Sequence, residues 1–175
     1  MALFRRRKLP AGRRPTLEAD ERIVAWAGVG DDEYVVLTNR GIWLPGADAR
    51  LGWHEIHKAT WSGRQLALIA SQEVDARDGY VVVADRPAVV YTLLDPENVP
   101  VQVRTRVTKS IAYTSHHALA GGGGARVVAR RVPGVNGLRW TVRYDEGVDA
   151  SSAEVAAATA ELVEHGRSGI EGIVP

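Results

Sequence analysis

His54-Glu55-Ile56-His57 sets two imidazoles around a carboxylate, the residue types from which zinc hydrolases are built. A zinc-protease site needs histidines at i and i+4 on one helix face, with the glutamate between them as base. Here the spacing is three, and the surrounding LGWHEIHKATW (51–61) reads as strand. Residues three apart in a strand point to opposite faces, so these imidazoles share no metal unless a bulge at Gly52-Trp53 re-aims one of them. The plainer reading puts Ile56 in the core and both histidines on the surface or at a rim.

The other candidate groups are weaker. His116-His117 lies near Ser110 and Ser115, without a Gly-x-Ser-x-Gly context or an acid partner. Gly121 to Gly124 is not followed by Gly-Lys-Ser/Thr, so it cannot be a P-loop. Trp26, Trp43, Trp53, Trp61 and Trp140 are aromatic platforms in principle, but only Trp140 has a flanking basic row, Arg139 and Arg143. The spaced aromatics of RNA-binding sheets are missing, which disfavours nucleic acid. Cysteine is absent, which removes disulfides, thiol catalysis and thiolate-bound zinc. No catalytic residue, metal or cofactor is therefore assigned, and a non-enzymatic module is expected; an enzyme using the histidines is the alternative.

The charge pattern supplies a different kind of site. Arg5, Arg6, Arg7, Lys8, Arg13 and Arg14 crowd the first 14 residues with no acid among them, beside Leu3 and Phe4. The whole chain is only +1, so the remainder is −5. Residues 1–18 read as a flexible basic arm, which is simply solvated, a transient contact for anionic lipid, or a nonspecific nucleic-acid contact. It has no apolar stretch of the kind that follows the charges in a secretory signal. No apolar run approaches the roughly 20 residues that span a bilayer, so the cytoplasm is expected, with peripheral membrane contact as the alternative. Arginine outnumbers lysine 19 to 3, the bias of a high-GC bacterial genome.

The elements that would position these groups are mostly short strands. ERIVAWAG (21–28), EYVVLT (33–38), GIWLPG (41–46), EIHKATW (55–61), RQLALIA (64–70), YVVVAD (80–85) and AVVYTLL (88–94) are separated by turn residues. Gly41 follows Asn39-Arg40 and is free to take positive φ; Pro87 belongs to a turn or a strand edge. Asn98-Val99-Pro100 is helix-start chemistry, and Val103, Val107 and Ile111 recur every four residues. Val101, Val103, Thr105 and Val107 also alternate as a strand would, so local pattern leaves both readings open. Residues 120–124 read as a glycine linker. ARVVARRV (125–132) and LRWTVRY (138–144) flank PGVNG as a hairpin, and a helix follows, with Ser151 and Glu154 as a capping box and Gly166 at its C′ position. This ββα unit is too small to bury a core alone.

VVLTNRGIWL (35–44), with its Leu-Thr-Asn-Arg turn, resembles the second hairpin of bacterial pleckstrin-homology-like (PH-like) domains such as those of high-GC bacteria. LGWHEIHKATW resembles the strand that follows it. The likeness covers about residues 19–119. It implies a seven-stranded bent barrel closed by a C-terminal helix at about 98–118; the ββα extension (125–175) is not part of that general fold and is expected to pack on the barrel, which makes the chain α+β, mainly β. It implies binding of lipid, peptide or protein without naming a ligand; a protein or peptide partner is the expectation. The basic pair of lipid-binding members is replaced by the acidic loop GVGDDE (28–33).

Overall fold

The computed structural model describes residues 7–172. Its chain is mainly β with two helices. β1 (Ile23–Gly30), β2 (Glu33–Thr38), β3 (Gly41–Trp43) and β4 (Leu51–Gly52) form an antiparallel sheet in that order. A 3-10 turn at Trp53–Glu55 then feeds β5 (Ile56–Ser62), which pairs with β6 (Gln65–Arg77). The first half of β6 also pairs with β8 (Val89–Thr92), and its second half with β7 (Tyr80–Asp85). β7 and β8 follow one another along β6, with Arg86 N–H bonded to the Ala70 carbonyl. Pro87 therefore interrupts a nearly continuous strand and does not reverse it, as befits a residue that cannot donate to the ladder.

The Thr38-Asn39-Arg40 turn owes its composition to the segment it holds. Thr38 Oγ1 donates to Glu21 at 2.6 Å. The Asn39 amide accepts from Arg22 N–H at 2.7 Å and donates to the Asp20 carbonyl at 3.0 Å, while Arg40 pairs with Glu18. Gly41 is required for a reason other than positive φ, which it does not adopt. A Cβ there would run into the Leu51 carbonyl of β4, so the glycine permits close backbone approach.

The first core fills the space between these strands and α1 (Val99–Ser110), from Ala27, Leu37, Ile42, Trp53, Ile56, Leu68 and Leu93 to the helix stripe Val99, Val103 and Val107. A bridge from Gly28 to Leu94 joins the two sheets at one corner of this curled half-barrel. The helix is shorter than the expected 98–118. Ser110 Oγ donates to the Val107 carbonyl at 2.6 Å, and Arg131 NH1 donates to the Lys109 and Ile111 carbonyls at 3.0 and 3.1 Å. These contacts satisfy the terminal acceptors that would otherwise ask for another turn. Residues 111–118 then become β9 (Ile111–Ala118), because pairing with β10 (Gly124–Arg131) overrides the local 3.6-residue pattern.

Of residues 120–124, expected as a linker, 120–123 make the turn of this β9–β10 hairpin, with Gly122 and Gly123 at positive φ, and Gly124 opens β10. β11 (Leu138–Tyr144) pairs antiparallel with β10 and parallel with β7. The extension thus continues the β6–β7 sheet. One face of it carries α2 (Ala153–Glu171) over Val127, Ala129, Trp140 and Val142. Ser152, not Ser151, caps α2 by accepting from Val155 N–H. Gly166 lies inside the helix: a Cβ there would meet Trp140 and Tyr113, so the glycine sets the helix-to-sheet distance.

Candidate peptide-binding groove

β5 begins where Trp53 is anchored. Its indole is 2% exposed and donates to the Thr38 carbonyl at 3.0 Å, and Glu55 accepts from Gly52 N–H at 2.7 Å. These bonds fix the direction in which β5 leaves the first sheet. β5 then pairs with β6 on one side only; among the described residues no strand pairs with its other edge. α1 packs beside it. Between them lies a groove of about 470 Å³, lined by Ala59, Trp61 and Leu66 from the sheet and by Pro100, Val101 and Arg104 from the helix. Trp61 is 38% and Val101 63% exposed.

The lining of this groove holds one charged side chain, the cation Arg104. Residues 56–72 and 98–144 contain no aspartate or glutamate, and the second stretch carries eight basic residues. Lys58, Arg64 and Arg104 are exposed on β5, its turn and α1. An edge strand offers main-chain donors and acceptors, the aromatic and the valine offer apolar contact, and the cations select acidic flanks. Sequence reading missed the groove because its two walls are about 40 residues apart. The acid-free run 98–144 was the available signal.

The residues singled out by sequence fall elsewhere. His54 sits in the 3-10 turn and His57 at a bulge in β5, so the strict strand geometry that separated them does not apply. Both rings come under the influence of Arg130. Burial, then Arg139 and Arg130, hold the His54 imidazole below its ordinary value against the pull of Glu55. Burial and then Arg143 do the same to His57; its Nδ1 is 2.8 Å from Asp85 Oδ1 but off the line of a good hydrogen bond. Among the described residues no group of three potential ligands could hold a metal. His116 and His117 lie on β9, not at a helix end: His116 pairs with Asp145 at 2.9 Å, and His117 contacts Ser115.

Both half-buried histidines bind a proton more readily when unfolded, where the pKa is about 6.5. Stability is therefore full above that value and falls as pH drops below it, toward the depressed folded values. Urea midpoints between pH 7.5 and 5 should decline, and the decline should be shallower in the His54→Gln/His57→Gln variant. A parallel decline in the variant would contradict this account of the two rings.

Of the basic segment, Arg5 and Arg6 lie outside the described residues. Arg7 is 3.4 Å from Asp95 and 3.7 Å from Glu97, and its guanidinium stacks 4.3 Å from the Trp26 ring centroid. Leu9 is buried, and Arg13 pairs with Asp32 of the acidic loop. Lys8 and Arg14 are exposed. From Arg7 onward the segment thus lies along the half-barrel, drawn by the acids of the body, instead of extending freely from it. Among the described residues no helix is long and apolar enough to cross a membrane.

The chain matches no protein-family model, no curated protein and no solved structure.

Proposed function

We propose that the protein is a non-enzymatic interaction module of the PH-like kind, which binds an extended, acidic segment of a partner protein along β5 against α1. The observation that carries this reading is the free β5 edge beside an exposed tryptophan and valine, in a groove whose lining holds Arg104 and no carboxylate. A bound segment adds a strand to β5, seats alternate apolar side chains against Trp61 and Val101, and sets carboxylates near Lys58, Arg64 and Arg104. The half-barrel with its flanking helix is the frame that such a module requires. The alternative, contact of the basic segment with anionic lipid, is weakened by the acids that already face Arg7 and Arg13.

Selection of a displayed peptide library on the purified protein tests the proposal. Enriched sequences should combine acidic residues with alternating apolar ones. Trp61→Ala should weaken the selected peptides roughly thirtyfold, the effect of losing a hot spot of about 2 kcal/mol. Val101→Asp should weaken them further, because it adds a negative charge to the wall. Failure to enrich, or equal binding by the folded variants, would overturn the reading. Binding to anionic vesicles that survives both substitutions would favour the lipid alternative.

A further inference from the structure

α2 covers one face of the β6–β7–β11–β10 sheet, and the other face looks toward the Trp53–Glu55 turn across a polar cleft of about 260 Å³. Arg86, Arg130, Arg139 and Arg143 all line it. Arg139 is held by Glu73 at 2.8 Å, and Arg143 by Asp85 at 2.8 Å and Ser71 at 3.0 Å. Arg130 is different. It is only 6% exposed, and its NH1 donates at 2.8 Å to a neutral group, the Ser110 hydroxyl. Among the described residues no carboxylate lies within ion-pair distance of Arg130 or Arg86. Two more buried nitrogens at the cleft, the Arg143 Nε donor and His54 Nδ1, have no hydrogen-bond partner.

A guanidinium withdrawn from water without a counter-charge is strongly unfavourable, and here a second one, Arg143, adds like-charge repulsion. Closing the end of α1 does not account for it, since Arg131 serves the carbonyls there. An anion resolves each of these features together. Guanidinium forks are matched to the oxygens of phosphate and carboxylate. The two cations without acid partners match a dianion better than a monoanion, and the cleft has room for a phosphate with a small organic group attached.

We infer that this cleft is a binding site for a small oxyanion, a phosphate group carried by a small molecule, with Arg130 and Arg143 as its buried donors and Arg86 and Arg139 at its mouth. The site is separate from the β5–α1 groove, and its fate does not depend on the peptide reading.

The probe is inorganic phosphate, titrated by calorimetry and thermal unfolding against chloride at matched ionic strength, with succinate as a carboxylate arm. Phosphate should bind saturably and raise the melting temperature. Arg139→Gln should weaken binding several-fold. Arg130→Met should abolish it, while unfolding in phosphate-free buffer at or above the parent temperature, because the uncompensated buried charge is gone. Phosphate no better than chloride, or full binding by Arg130→Met, overturns the site; saturation by succinate but not phosphate overturns the choice of phosphate. Should Arg130→Met not fold, the guanidinium N–H signals of Arg130 and Arg143 in the unaltered protein decide: a saturable shift with phosphate supports the site, and unmoved signals overturn it.

Discussion

Replacing Glu21 with alanine should destabilise the protein by about 3–5 kcal/mol, the range for removing one partner of a buried ion pair. The Glu21 side chain is fully buried. Burial alone would push its carboxyl up. Bonds from Thr38, the Glu18 amide and Trp43, with the charge of Arg50, outweigh that and hold it below its ordinary value. Arg50 NH1 lies 2.6 Å from it, and Trp43 Nε1 donates at 3.2 Å. Alanine would leave the Arg50 guanidinium, which is only 20% exposed, with Glu18 at 3.4 Å as its remaining acid, and would remove the acceptor of Thr38, the Glu18 amide and Trp43. The residues that close the first sheet at β3 and β4 all converge on this carboxylate. The melting temperature should fall by on the order of 10 °C for a chain of this length. Glu21→Gln keeps an acceptor and should cost less. A loss below about 1 kcal/mol for alanine would show that the ion pair is dispensable.

Trp140→Ala should cost a similar ~3–5 kcal/mol, as expected for deleting a buried aromatic. Trp140 is 7% exposed, packs on Tyr113 at 5.6 Å between centroids, and supports Gly166 of α2. More informative than the size is the form of the transition. β6 pairs with β5 and β8 through one half and with β7 through the other, so a single strand joins the ladders on either side of it. The parallel β7–β11 pair ties the extension to it. Unfolding should remain one cooperative step followed alike by near- and far-ultraviolet circular dichroism. Two resolved steps, only one of them moved by the substitution, would mean that the extension folds as an independent unit.

The sequence made the local strands legible where turn chemistry bounded them. β2, β7 and β11 match their expected ranges, because Thr38-Asn39, Arg86-Pro87 and Asn136-Gly137 are strong stops. It misled where a partner strand decided the outcome. Ile111–Ala118 carries a helical stripe and became β9, since its ladder to β10 is a long-range interaction that no local window contains. Gln65–Arg77 runs seven residues past its expected end for the same reason, as β7 extends the pairing. Gly41 and Gly166 were read by their conformational freedom, whereas close approach to Leu51 and to Trp140 explains them. The His54–His57 pair drew attention for its residue types. The groove is made of ordinary residues, and only their exposure after folding distinguishes Trp61 and Val101 from core.

Amide hydrogen exchange along β5 tests the central claim most directly. β5 amides not bonded to β6 face the open edge, so they should exchange quickly in the free protein. With a library-selected acidic peptide bound, alternate amides within Ile56–Ser62 should become protected, and those of β8 and β9 should not change. Strand addition at β5 requires that peptide protect alternate β5 amides and that this protection be lost in Trp61→Ala. A peptide that binds while leaving every β5 amide as exchangeable as before would contradict it.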